Sequence, residues 1–453
     1  MARIIITGTS SGCGKTTLTI GLISALQKRG VRVASLKCGP DYIDPMFHKR
    51  ALKINSSNID LFMMGKEGTL SVMANAESES DITIIEGVMG YYDGLGGIST
   101  ESSTYDIARK TNTPSILVVN ARGKSISILA EIKGYLEYME DSNIQGVILN
   151  NMSKSLYPGI KSLIENGFSI KCLGYLEKHK ELGIESRHLG LITANEVKGI
   201  DTIIESLGSR VEESINIDEI IRLSSVEPIL KTKNNSYEGL NVNIAVALDK
   251  GFNFYYSENI RVLEEMGGNI IYFSPIHSTH LPKDIHGIYI GGGYPELYLK
   301  ELSNNISLRE DILNRLKNGI PCIAECGGFM YLNKTIRGKD NIDYPMVGYL
   351  NGECYREDKL VRFGYINITG DNSFIHSGEM ARGHEFHYYN STVNGEDLTA
   401  SKPISSREYK LGVVDENLFA GFHHTHFYSL LDLPKRFITK ANRYKLSIGG
   451  KNG

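Results

Sequence analysis

One turn limits what this chain can fold into. Residues 3–7 form a short β-branched run, and Gly8-Thr-Ser-Ser-Gly-Cys-Gly-Lys15-Thr16-Thr17 follows at once. Apolar residues then recur at 18, 22, 23 and 26, the spacing of one helix face over Leu18–Gln27, and Gly30 ends the pattern. Strand, glycine-rich loop and helix in that order belong to a parallel α/β sheet, because the helix must cross back over the sheet before the next strand. Backbone N–H groups around Gly12 and Gly14 can wrap phosphate oxygens, and Lys15 can reach the outer ones. The Thr16 hydroxyl suits Mg²⁺, and Thr17 opens the helix behind it. Five residues separate Gly8 from Gly14, where the commonest form of this loop has four.

Further strands fit Val31–Leu36, Ile82–Glu86, Ser115–Val119, Gly146–Leu149 and Cys172–Leu176, with helical stretches between most of them. The expected fold is therefore α/β, a doubly wound parallel sheet whose ligands sit at the carboxyl ends of the strands. Asp41 and Asp44 follow the second strand, Glu86 ends the third, and Asp93 comes soon after it. Carboxylates beside a polyphosphate repel it unless Mg²⁺ or a catalytic role offsets their charge. Singly, each reads equally well as a loop residue or helix cap. As a set they are candidate site residues, with Thr16 and Glu86 holding Mg²⁺ and Asp41, Asp44 and Asp93 positioning substrate or metal.

Periodicity fades into a polar stretch before residue 240, and Val242–Leu248 then begins a second α/β pattern. This gives a nucleotide domain over 1–225, a linker over 226–240 and a second α/β domain over 241–453, with the Lys- and Asn-rich tail from Lys435 on the surface. In the second domain an apolar run ends at Cys326, Gly327 and Gly328 follow, and Phe329–Leu332 restart an apolar pattern. This reads as a strand, a sharp turn and a helix, with a thiol at the apex. The helix aims its N-terminus at the sulfur, which predicts a favoured thiolate. Upstream, Ile288–Ile290 runs into Gly291-Gly292-Gly293-Tyr-Pro-Glu296, and downstream Gly421-Phe-His-His424-Thr-His426 offers imidazoles. Acyl transfer through cysteine needs a base and oxyanion donors. Cys326 is the candidate nucleophile, His424 the base, and Gly327 with Gly292 or Gly293 the donors. A rival reading makes His384, His387, His424 and His426 a metal site. On a strand, however, residues i and i+3 face opposite sides, so their spacing does not force convergence.

Composition removes other classes. A formal net charge of −3 disfavours a nucleic-acid or membrane-surface partner. Six scattered cysteines with no Cys-x-x-Cys pair read as reduced intracellular thiols, and the apolar run at the N-terminus is too short for a signal peptide or a membrane span. A cytoplasmic protein is expected.

The stretches Gly-Thr-Ser-Ser-Gly-Cys-Gly-Lys-Thr-Thr, Lys37-Cys-Gly-Pro-Asp-Tyr-Ile-Asp-Pro and Glu86-Gly-Val-Met-Gly-Tyr-Tyr-Asp-Gly together resemble the dethiobiotin-synthetase-like ATP domain of the cobyrinate a,c-diamide synthase family. Ser102–Ala108 and His188–Leu191 resemble it too. Ser10 stands where partition-type ATPases carry a second lysine, which argues against a dimerising positional switch. The second half resembles a class I glutamine amidotransferase domain of the triad-variant type, and Arg382-Gly-His-Glu-Phe-His-Tyr resembles the cobyrinate family without disclosing a role. The resemblance implies that Cys326 forms a glutamyl thioester and that His424 activates it. His426 stands where many amidotransferases place a Glu, which leaves the third triad member open. It further implies ATP as co-substrate with Mg²⁺, L-glutamine as nitrogen donor and cobyrinate, a corrinoid, as acceptor, and it allows a homodimer. Alternatives are the same chemistry on Ni-sirohydrochlorin, hydrogenobyrinate or cobyrate, a non-catalytic nucleotide-dependent switch, and a metal chaperone built on the His pairs.

Overall fold

A computed structural model describes residues 1–178, 199–229 and 240–449 of the chain. Residues 188–191 and most of the expected linker lie outside these described residues. Two compact units result, Met1–Leu61 with Gly65–Asn234 and Phe62–Met64 with Asn235–Gly453.

The first unit is built on strands β1 (Arg3–Gly8), β2 (Val33–Cys38), β3 (Ser56–Ile59), β4 (Ile82–Glu86), β5 (Ser115–Asn120), β6 (Ile144–Asn150) and β7 (Lys171–Leu176). They form a seven-stranded sheet in the order β3-β2-β4-β1-β5-β6-β7, parallel at every pairing. Parallel strands are covered on both faces, so their apolar runs are continuous; Ile4, Ile5 and Ile6 of β1 are all fully buried. Helix α1 (Lys15–Lys28) starts three residues before the apolar pattern and buries Leu18, Leu22, Ile23 and Leu26. β2 lies two residues later than expected. β3 was not anticipated, because Ser-Ser-Asn-Ile is short and polar. It matters nonetheless: Asn58 Nδ2 donates to the carbonyls of Gly39 at 2.9 Å and Asp41 at 2.7 Å, tying down the loop before helix α2 (Ile43–Ala51).

Registers on the central strands assemble one site. Glu86 pairs with Ile6 of β1 on one side and with Lys37 of β2 on the other. The phosphate-type loop after β1, the acidic loop after β2 and the end of β4 therefore share one edge of the sheet.

In the second unit, β8 (Val242–Ala247), β9 (Gly268–Phe273), β10 (Gly287–Ile290) and β11 (Cys322–Glu325) run parallel, in the order β11-β10-β8-β9, and Leu418–Gly421 adds a parallel strand beyond β11. An antiparallel sheet includes Arg362–Gly370, Ala381–His387 and the two-residue strand His424–Thr425. The described part of the tail from Lys435, to Gly449, is not wholly at the surface. It belongs to a helix, Asp432–Gly449, that buries Phe437, Ile438, Ala441 and Tyr444 in the core, because its apolar residues recur at helical spacing. All six cysteines are free and buried.

Candidate active sites

At the carboxyl edge of the first sheet, Gly14 takes φ 108° just before α1, and Asn150 reaches its backbone closely enough that any side chain there would collide. Asn150 Nδ2 in turn donates to Cys13 O at 2.9 Å, which holds the loop against β6. Gly12 also has positive φ, at 73°. Lys15 Nζ folds over the loop and donates to Ser10 O at 2.9 Å and Met89 O at 2.6 Å. Burial lowers its pKa. Thr16 Oγ1 donates to Glu86 Oε1 at 2.6 Å, so the two expected magnesium residues are adjacent. Thr17 follows in the first turn of α1.

Glu86 stands in a buried charge cluster that sequence reasoning only partly found. Lys37 Nζ lies 2.8 Å from Glu86 Oε1 and 2.6 Å from Asp44 Oδ2. Burial alone would discharge this lysine, but the two carboxylates outweigh it and hold its pKa up. Burial likewise works against the Asp44 charge, and Lys37 reverses that, so Asp44 ends below its ordinary value. Asp41 is pushed up to about 7, first by burial and then by Asp44. Its Oδ1 accepts the Ile43 N–H at 2.8 Å at the head of α2. His48 of α2 has its Nδ1 2.7 Å from Ser35 Oγ and its Nε2 3.7 Å from Glu86 Oε2, and burial lowers its pKa. Asp93 sits apart from this cluster and accepts the Gly90 N–H at 2.8 Å within its own turn. The signal for Lys37 was available: a lysine near the end of a strand buried on both faces needs an acidic partner.

The cluster offers hard oxygen donors of the kind Mg²⁺ takes. Thr16 Oγ1 and Glu86 Oε1 lie side by side, and Glu86 Oε2 is buried without a hydrogen bond among the described residues.

In the second unit Cys326 occupies the turn between β11 and the short helix Gly327–Leu332, at φ 49° and ψ −104°. A non-glycine residue held there stores strain, as at a nucleophile elbow. Cys326 N donates to Gly421 O at 2.7 Å and Gly328 N to Gly291 O at 3.0 Å, so the elbow is fastened to both flanking segments. The surroundings of the sulfur work against the predicted thiolate. Burial and then the nearby Glu296 carboxylate push the thiol's pKa up, and the Gly327 N–H bonded to it does not offset them. A six-residue helix has little dipole to oppose a buried charge.

The glycine loop and the base meet at this turn. Gly293 N lies 3.1 Å from where a Gly327 side chain would begin, and a side chain on Gly292 would strike the His424 ring. His424 stacks on His384 with centroids 4.8 Å apart, and burial keeps its pKa well below the ordinary value. An imidazole whose pKa is held low and a thiol whose pKa is held high are matched for general-base activation at the moment of attack. His426 turns to other partners. Its Nδ1 accepts the Tyr428 N–H at 3.3 Å and its ring lies 4.9 Å from that of Tyr256, while burial lowers its pKa to about 3. His387 stacks on Phe422 at 4.2 Å. Among the described residues, no three His, Cys, Asp or Glu side chains are grouped to hold a metal ion.

Sequence reasoning missed Glu325. Its carboxylate is 2% exposed, accepts the Thr425 N–H and the Tyr289 hydroxyl, each at 2.8 Å, and is raised to about 7 by burial. A charged residue closing the apolar run Cys322–Ala324 was the available sign.

Comparison with known proteins finds a family model in each half of the chain. Residues 4–191 match the family described as the CobQ/CobB/MinD/ParA nucleotide binding domain, and residues 243–430 the CobB/CobQ-like glutamine amidotransferase domain. A cobyrinate a,c-diamide synthase of Thermoplasma volcanium is 42% identical over 98% of both chains. One of Caldanaerobacter subterraneus is 40% identical over 98% of this chain and 99% of its own. One of Priestia megaterium is 38% identical over 98% of both. The chain belongs to the cobyrinate a,c-diamide synthase family.

Proposed function

We propose that the chain is a glutamine-hydrolysing, ATP-dependent carbon–nitrogen ligase that converts the a and c carboxylates of cobyrinate to amides in cobalamin biosynthesis. The observation that carries this reading is the pair of sites in one chain: a phosphate-type loop whose Thr16 meets Glu86, and a strained Cys326 turn with Gly293 against it and His424 against the neighbouring Gly292. The domains are taken as 1–225 and 241–453, joined by a linker over 226–240.

A free carboxylate is a poor electrophile. Its oxygen attacks the γ-phosphorus of ATP, the bond to ADP breaks, and an acyl phosphate forms. Ammonia then adds to the acyl carbon and inorganic phosphate leaves. Lys15 neutralises charge on the phosphoryl oxygens, and Gly12, Gly14 and Thr17 present backbone N–H groups to the phosphates. Thr16 and Glu86 would hold Mg²⁺, which would supply charge neutralisation for the polyphosphate. Lys37 pairs with Glu86 and keeps Asp44 ionised despite its burial, and Asp41, Asp44 and Asp93 position substrate. In the second domain His424 takes the Cys326 proton as sulfur attacks the glutamine amide. Gly327 and the Gly292–Gly293 loop stabilise the oxyanion, ammonia departs, and water releases glutamate from the thioester. His426, two residues on, accepts the Tyr428 N–H and so helps fix the segment that carries the base. No described helix is long and apolar enough to cross a membrane. A cytoplasmic enzyme, assembled as a homodimer, fits this chemistry.

Incubation with cobyrinate, MgATP and glutamine should give two successive carboxylate-to-amide conversions by product mass. Consumption of ATP and glutamine with a nickel or metal-free tetrapyrrole instead would replace the acceptor. No turnover of either co-substrate with any acceptor would overturn the ligase reading.

A further inference from the structure

The base of the cysteine site sits on a strand too short to hold itself. His424 and Thr425 are its two residues, and they pair with His384 and Gly383 of the strand Ala381–His387. Neither polar group of the Thr425 backbone is taken by that ladder. Its N–H donates to Glu325 Oε1 and its carbonyl accepts from Asn259 Nδ2, both at 2.8 Å. Asn259 Oδ1 also accepts the Phe427 N–H at 2.8 Å, so one amide bridges the residues on either side of His426. Glu325 is equally committed, because its second oxygen accepts the Tyr289 hydroxyl of β10. Both side chains are almost wholly buried, Glu325 at 2% and Asn259 at 0% exposure. Two side chains thus do the work of an absent neighbouring strand. One of them is the residue directly before the nucleophile, so base and nucleophile are referenced to the same backbone.

We propose that Glu325 and Asn259 are positioning residues for glutamine hydrolysis, which fix the backbone that presents His424 at the Cys326 turn. This rests on the glutaminase reading of the second domain. Removal of the Glu325 carboxylate leaves the Thr425 N–H buried without an acceptor and frees the strand to shift. A displaced base slows proton transfer but leaves glutamine affinity and the synthetase site unaltered.

The test uses the full chain and measures glutamate release across glutamine concentrations, in parallel with amidation supported by ammonium salt. Glu325→Ala should lower kcat for glutamine hydrolysis by about 100-fold with KM within about twofold of wild type, the cost of a misplaced catalytic group. Ammonium-dependent amidation should be unchanged. Glu325→Gln should recover most of kcat, because its amide oxygen can accept the Thr425 N–H. Asn259→Ala should show the same split from the other side of the strand. A Glu325→Ala enzyme with wild-type kcat, or one in which both activities fall together, would overturn the inference. A wild type that amidates with ammonium yet releases no glutamate would instead overturn the glutaminase reading beneath it.

Discussion

Lys37 and Glu325 are buried charged groups with opposite consequences. Lys37 lies between Glu86 and Asp44, and its burial is tolerable only because both carboxylates are within 2.8 Å. Replacing one member of such a group leaves the others charged and unpaired, which costs about 3–5 kcal/mol. Lys37→Met should therefore lose about that much stability in denaturant unfolding of the nucleotide domain and should also lose ATP-dependent amidation. Glu325 has no cation paired with it among the described residues, and burial raises its pKa from 4.5 to about 7. The folded protein thus keeps a proton that the unfolded chain releases, and the stability linked to it is complete below the unfolded value and is lost as pH rises through 7. Glu325→Gln has no proton to lose. Between about pH 5 and about pH 8 the difference in unfolding free energy should move in favour of the variant by on the order of 2 kcal/mol. A pH-independent difference would contradict the raised pKa.

At the scale of elements, the second unit places its chemistry on short elements and much of its stability on a long one. β11 has four residues and the helix after it six, yet the turn between them holds Cys326 at a backbone angle that an isolated peptide would leave. The hydrogen bonds from Cys326 N and Gly328 N hold it there. The Asp432–Gly449 helix has the contrary role, with Phe437 fully buried in a core drawn from the second unit alone. Phe437→Ala should destabilise that unit by about 3–5 kcal/mol in chemical denaturation. Nucleotide binding, read by fluorescent ATP analogue titration, should survive, since the core beneath the phosphate loop contains no residue of that helix.

At the scale of the whole molecule, two separately cored units divide one reaction, and two substitutions should separate the halves. Cys326→Ala should abolish glutamine-dependent amidation and leave the ammonium-dependent reaction intact. Lys15→Ala should abolish both, as followed by product mass. What the sequence determined alone was local. The apolar run of β1, the glycines that admit positive φ before α1, and the thiol between β11 and two glycines are written in neighbouring residues, because torsion limits and two-sided burial act within a few positions of the chain. Tertiary structure decided which groups share a site and in what state of charge. Strand register set Lys37 and Glu86 opposite each other, 49 residues apart. Folding also brought Glu325 to the backbone beside His424, 100 residues from its own place at Thr425. Burial at the turn pushes the Cys326 pKa up where the helix after it had suggested a thiolate. Pairing and desolvation depend on what lies across space, and no short window of sequence carries that information.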